Sequence, residues 1–313
     1  MRFLYIIDPP GTLKAYKDTT VAMMRAAQAR GHEVWVAGQS DLHWNKGRVQ
    51  AHASRLALTD NDEDWYRAHA AELRALADFN AVLMRKDPPF DMEYVASTWL
   101  LSEVERQGVR VINSPQALRD HNEKFAIAEF PGLTVPSLVT RAMHDLQRFV
   151  DEHRDTVLKR LDGMGGTGIF RVRHDDPNRN VIVETVSELG ARSVMAQRYI
   201  PEIVDGDKRV IVIDGEPMPY TLARIPKPGE LRGNLAAGAR GVAQPLSARE
   251  REIGIAVGRK LAPRGLLFVG LDVIGDWLTE VNVTSPTCFR EIQDQTGFDV
   301  SGKFMDALEG KLR

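Results

Sequence analysis

Residues 272–282 read DVIGDWLTEVN, and this stretch predicts a β-hairpin that builds a polar site. Val269, Leu271 and Val273 alternate with Gly270 and Asp272, so Asp272 belongs to the face opposite the apolar side chains. Gly275, Asp276 and Trp277 supply the turn. A three-residue turn sets Ile274 opposite Leu278 and Asp272 opposite Glu280, with Leu278, Glu280 and Asn282 on one face. Thr279, Val281 and Val283 then occupy the other. Two carboxylates facing each other across a strand pair repel, and a divalent cation between them reverses that sign. Asp272, Glu280 and Asn282 offer only oxygen, which suits Mg²⁺ or Mn²⁺ and not Zn²⁺. A solvated polar face without a metal is the plain alternative.

The rest of the composition bounds the reading. A chain of 313 residues has room for two or three cores. The formal net charge is −2, so no basic field points to nucleic acid or to a membrane surface. The opening MRFLYIIDPPG reaches Asp8 and two prolines after a few apolar residues, which predicts a first strand and not a signal peptide. No apolar run approaches a bilayer span. The single cysteine, Cys288, excludes an intramolecular disulfide and fits a reducing cytoplasm.

Taken in order, residues 1–112 alternate strand and helix. Strands are expected at 3–7, 32–37, 81–85 and 109–112, with helices at 19–30, 64–76 and 93–107. That pattern implies a mostly parallel open sheet with ligands beyond the carboxyl ends of its strands. Arg85 lies at such an end, and a guanidinium there can grip a carboxylate bidentately. Further on, a strand at 156–161 containing Lys159 leads into DGMGGTGIFRVR. Gly163, Gly165 and Gly168 match G-x-G-x-x-G, but a strand and not a helix follows. Strand–loop–strand is the geometry of a flap over nucleotide phosphates, with Gly166 adding freedom. A strand at 193–200 can line an adenine pocket, around Gln197, Tyr199 and Ile200. Asp207 and Arg209 enter the next hairpin and Arg224 leaves it. Residues 225–241 are rich in Gly and Pro without periodicity, which predicts an active-site lid carrying Arg232 and Asn234. Two lysines before a glycine flap, three arginines and an oxygen-ligand cluster would neutralise a polyphosphate and a transferring phosphoryl group.

Six segments carry a resemblance: MRKDPPFD (84–91), NEK (122–124), LDGMGGTGIFRV (161–172), DGDKRV (205–210), ARIPKPGELRGNLAAG (223–238) and FVGLDVIGDWLTEVNVTSPT (268–287). The chain resembles the ATP-grasp superfamily and, within it, the bacterial glutathione synthetase family, over nearly its whole length. The resemblance implies an α/β fold (α+β overall): an N-terminal open, mostly parallel sheet followed by an ATP-grasp fold of two α+β subdomains. The expected division is 1–122, 123–200 and 201–313. It implies ligation of γ-glutamylcysteine and glycine to glutathione, with ATP and Mg²⁺ or Mn²⁺, in a cytoplasmic homotetramer. By the same resemblance Lys124 and Lys159 contact ATP phosphates under the 163–168 loop. Gln197, Tyr199 and Ile200 frame adenine, with Asp207 near the ribose. Arg209 and Arg224 stabilise the acyl phosphate and its tetrahedral successor, while Asp272, Glu280 and Asn282 hold the metal. Arg232, Ser285 and Thr287 meet the peptide or glycine carboxylates. Other ATP-grasp carboxylate–amine ligases and a non-catalytic ATP-binding regulator are the competing readings.

Overall fold

The computed structural model describes residues 1–230, 233–235 and 238–313. Its first sheet grows around β1 (Arg2–Ile6), which runs parallel to β2 (Glu33–Ala37) and to β7 (Ala81–Met84), with β8 (Arg110–Ile112) parallel beyond β7. Phe3, Leu4, Tyr5 and Ile6 are all buried, as a strand covered on both faces requires. Helices α1 (Thr19–Ala29) and α2 (Met92–Arg106) start where Asp18 and Asp91 accept backbone N–H groups at 2.8 and 2.9 Å.

The sheet's other side departs from expectation. No helix forms over 64–76. The chain instead makes β3 (Leu42–Asn45), a long β4 (Arg48–Leu58), β5 (Tyr66–Ala68) and β6 (Glu72–Ala75), all antiparallel around β4. The helix formers Ala, Glu and Leu of 70–76 yield to pairing with β4. Burial along β4 alternates at Val49, Ala51 and Ala53, the period of a half-buried strand.

After α3 (Pro115–Asp120) a second, four-stranded sheet forms in the order β11–β10–β12–β9. It comprises β9 (Ser137–Thr140), β10 (Asp155–Arg160), β11 (Ile169–Arg173) and β12 (Val194–Arg198). Helices α4 (Met143–His153) and α5 (Arg179–Ser187) cover it. The α5 helix was not expected from sequence. Leu146, Phe149, Leu158, Val172 and Val194 form a core of their own.

The third sheet runs β15–β14–β13–β16–β17, antiparallel throughout: β13 (Asp207–Ile213), β14 (Glu216–Ile225), β15 (Arg240–Pro245), β16 (Phe268–Ile274) and β17 (Trp277–Asn282). The segment 225–241, expected to lack periodicity, overlaps β14 at Ile225 and β15 from Arg240. Helix α6 (Ala248–Leu261), opened by a Ser247–Glu250 capping box, packs on β13 and β14. The chain closes with two helices, α7 (Phe289–Thr296) and α8 (Val300–Gly310). They return to the first sheet, and Phe289, Phe304 and Met305 share one core with Phe3, Tyr5 and Met24. Among the described residues, no helix is long and apolar enough to cross a membrane.

Candidate active site

Register builds one polar face on the third sheet. Asp207 lies directly opposite Arg224, Arg209 opposite Asp272, and Asp272 opposite Glu280. Because side chains alternate, Asp207 and Arg209 point the same way from β13. The hairpin turn has two residues, not three, since Ile274 pairs with Trp277 and Val273 with Leu278. A bulge after Asp272 restores the Asp272–Glu280 pairing. It also reverses two assignments: Leu278 is fully buried in the core, while Thr279 joins the cavity face. Thr279 Oγ1 donates to the Asp272 carbonyl at 3.0 Å within the bulge.

Four of these residues form an ion network. Arg209 Nε meets Asp272 Oδ1 at 2.7 Å. Arg224 Nη2 meets Asp272 Oδ2 at 2.9 Å and Asp207 Oδ2 at 2.6 Å. Burial would raise the Asp272 carboxyl, but the two guanidinium groups outweigh it and hold it well below the usual range. Asp207 has the opposite balance: burial lifts it to about 6 against the pull of Arg224. Its Oδ1 is buried and has no hydrogen-bond partner among the described residues, so it can accept from a ligand donor.

Glu280 has a separate partner, Lys124 Nζ at 3.2 Å. The Asp272–Glu280 repulsion expected from sequence is thus compensated by Arg209, Arg224 and Lys124, and does not by itself require a cation. Among the described residues, no group of three or more His, Cys, Asp or Glu side chains could hold a metal ion. The donors nevertheless fit a hard cation. Asn282 Nδ2 donates to the Gly270 carbonyl at 3.2 Å, which leaves its oxygen as the end not spent on the backbone. With Glu280 beside it, the pair is an all-oxygen set.

The second sheet faces this surface across a cavity of about 600 Å³, a volume suited to a small-molecule site. Lys159, on β10, is buried with Nζ 3.2 Å from the Thr279 carbonyl. Burial pushes its ammonium down, and Lys124 pushes the same way against Glu280. Lys124 Nζ also donates to the Gly163 carbonyl, so the flap's root is tied to the hairpin. Within the flap Gly165, Gly166 and Gly168 adopt φ of +61°, +83° and +70°, which favours glycine. Gln197, Tyr199 and Ile200 line the far wall. Gln197 donates to Ser137 Oγ at 3.1 Å. Arg171 stacks 3.6 Å over the Tyr199 ring and is pinned by Asp155. The segment quoted as GIFRVR contained this arginine, but nothing in its spacing marks the stack.

Of the residues expected to meet substrate, Asn234, Ser285 and Thr287 line the cavity. Gly233 lies so close to the ion network that a Cβ there would stand 2.6 Å from that of Asp207, so this part of the lid is seated on the site. Arg232 lies outside the described residues. Arg85 is corrected: it is buried and committed elsewhere. Its Nε donates to Thr20 Oγ1 at 3.0 Å and its Nη2 to the Pro286 carbonyl at 2.8 Å, with Phe268 beneath the guanidinium. The strand end presents Asp87 and Pro88 to the cavity instead. Glu123, another wall residue, had been read only as part of a motif.

The fold has solved counterparts. D-cycloserine synthetase DcsG superposes with a TM-score of 0.68 at 17% identity, covering 99% of this chain and 100% of that one. The ATP-grasp ligase PsnB, in complex with its precursor peptide PsnA2 and AMPPNP, gives 0.62 at 21%, covering 99% and 98%. Similarity is much higher to proteins named glutathione synthetase. That of Bordetella parapertussis is 59% identical over 99% of both chains. Those of Nitrosomonas europaea and Pseudomonas aeruginosa are 55% and 51% identical, each over 100% of this chain and 98% of the relative. Residues 1–119 match the family described as "Prokaryotic glutathione synthetase, N-terminal domain", and residues 123–297 match "Prokaryotic glutathione synthetase, ATP-grasp domain". With both profiles matched in order, the chain belongs to the prokaryotic glutathione synthetase family and has the ATP-grasp fold.

Proposed function

We infer that this protein is an ATP-dependent ligase that makes glutathione from γ-glutamylcysteine and glycine. Beyond the family, the observation that carries this reading is the charged face of the third sheet, opposed across one cavity by two lysines and a glycine flap. In the proposed reaction the cysteinyl carboxylate of γ-glutamylcysteine attacks the γ-phosphorus of ATP, and ADP leaves. The glycine amine then attacks the acyl phosphate carbon, phosphate leaves and the amine proton is released. Such chemistry needs alignment and charge neutralisation more than a protein nucleophile.

The residue roles proposed from the resemblance are supported by position. Lys124 and Lys159, beneath the flap, suit the ATP phosphates, and the flap glycines close over them. Gln197, Tyr199 and Ile200 suit adenine, and the Asp207 oxygen that has no partner among the described residues suits a ribose hydroxyl. Arg209 and Arg224 are placed to oppose charge on the acyl phosphate and on the tetrahedral species. Ser285, Thr287 and Asn234, with Arg232 from the lid, suit the peptide and glycine carboxylates. Glu280 and Asn282, with Asp272, would hold Mg²⁺ or Mn²⁺, and the chemistry such an ion supplies is neutralisation of phosphate oxygens. Glu280→Gln should then raise the Mg²⁺ concentration needed for half-maximal turnover by about tenfold or more. An unchanged titration removes Glu280 from the metal site. The buried single thiol suits the cytoplasm, and the proposed homotetramer is checked by light scattering on the eluted protein.

The test of function is phosphate release from Mg-ATP with γ-glutamylcysteine, with and without glycine, alongside a glutathione assay. Release that depends on both substrates and matches glutathione is expected. Release with other amine acceptors but not glycine would point to a different carboxylate–amine ligase.

A further inference from the structure

Residues 122–124 tie three parts of the site together. Asn122 Nδ2 donates to the Leu161 carbonyl at 3.1 Å, just ahead of the flap. Lys124 reaches both the flap and Glu280. Glu123, between them, turns to the free edge of β17, the outermost strand of its sheet. Its backbone carbonyl accepts Val281 N at 2.8 Å. Its Oε1 alone accepts three hydrogen bonds: Val283 N at 2.9 Å, Thr284 N at 3.0 Å and Thr284 Oγ1 at 2.8 Å. An edge strand leaves backbone donors without a ladder; the Glu123 carbonyl takes one of them, and its carboxylate takes the donors of the two residues just past the strand's end. Hydrogen bonds to an ionised acceptor are the stronger kind.

The chain that leaves this anchor is held again two residues on. Ser285 Oγ donates to the Arg85 carbonyl at 3.3 Å, and the Pro286 carbonyl accepts from Arg85 Nη2. Ser285 therefore stands between two fixed points, one set by Glu123 at 283–284 and one by Arg85 at Pro286, and Thr287 follows directly after the second. Burial, and then the charge of Glu280, push the Glu123 carboxyl up, so the anchor is maintained against an electrostatic cost.

We propose that Glu123 is a positioning residue for the acceptor half of the reaction: through residues 283–284 it holds Ser285 and Thr287 where they meet the peptide or glycine carboxylate. This rests on the reading of those two hydroxyls given above. Removing the carboxylate leaves two backbone N–H groups and a hydroxyl without their acceptor, and the loop is free to shift. A displacement of about 1 Å at a positioning group can lower catalytic efficiency on the order of a hundredfold.

The experiment compares the KM values of ATP, γ-glutamylcysteine and glycine in Glu123→Ala, Glu123→Gln and Thr284→Val, with melting temperatures alongside. In Glu123→Ala the KM of γ-glutamylcysteine or glycine should rise about tenfold or more, with the KM of ATP within about twofold. Glutamine keeps an oxygen for the same donors and should restore most of the loss. Thr284→Val removes one donor only and should raise the same KM about threefold, which keeps the test decisive if the alanine variant does not fold. An equal rise in all three constants, or none, overturns the inference. Ser285→Ala and Thr287→Ala serve as the control on its premise. If neither alters a substrate KM, the placement of the carboxylates is wrong. If they do and the Glu123 and Thr284 variants do not, only the role of Glu123 falls.

Discussion

Arg224 shows how a single side chain can be placed by register and then used by the site. It sits opposite Asp207 and also reaches Asp272, so it is neutralised twice before any substrate arrives. Arg224→Ala should lower kcat by about 10²–10³-fold, the cost typical of losing one group that stabilises developing charge. The KM of ATP should change far less, and steady-state kinetics at saturating Mg²⁺ check both. Asp207 carries a second expectation, in pH. Folded, its carboxyl titrates near 6, above its ordinary 3.8, so the folded state binds this proton more tightly than the unfolded chain. Stability should therefore fall as pH rises from about 4 to about 6 on account of this group. Asp272, held low, contributes the opposite slope, and only below its ordinary 3.8. Asp207→Asn should flatten the parent's pH dependence between 4 and 6 in urea titrations. At this scale the sequence was informative where alternation and spacing fix placement, as for Asp272 and Glu280, which the two strands set opposite each other. Arg85 was misread because a cation at a strand end looks the same whether it faces a ligand or closes a loop. The carbonyl it serves lies some two hundred residues away, at Pro286.

Among the elements, the glycine flap was legible because a strand, and not a helix, follows its third glycine. The helix expected over 64–76 was not there. Ala, Glu and Leu favour helices by about 0.5 kcal/mol each at most, and cross-strand pairing with a half-buried β4 decides against them. The β16–β17 hairpin came out with the expected Asp272–Glu280 pairing but by another route, a two-residue turn and a bulge. Alternation alone cannot register one extra residue, so Leu278 and Thr279 exchanged faces. The flap offers a prediction of its own. Gly165 has open space around a would-be Cβ but a φ of +61°, so Gly165→Val is opposed by backbone conformation and not by crowding. It should cost about 1–2 kcal/mol in the closed flap and raise the KM of ATP about tenfold, with little change in melting temperature. Equal KM values in variant and parent would mean that the flap adopts another conformation over the nucleotide.

Over the whole molecule, the first and third sheets are joined while the second keeps a core of its own. Asn113 makes part of the seam: its side chain donates to the Phe268 and Val283 carbonyls at 2.7 and 2.9 Å and accepts Phe268 N at 3.1 Å. Phe304, on α8, packs against Phe268 and Phe289 within the shared core. Phe304→Ala should cost about 3–5 kcal/mol, read as a lower urea midpoint for the joined sheets. If the middle subdomain unfolds as a separate unit, its transition should stay near the parent's. None of this long-range assembly is visible in local periodicity, since Phe3 and Phe304 carry no mutual signal along the chain.

The closing of α8 onto α1, at the opposite end of the sequence, has a consequence during synthesis. A ribosome delivers β1 and α1 well before their partner surface on residues 300–310. Until then the part of α1 that packs on α8 has no native cover, and it is a fitting place for a chaperone to hold the nascent chain.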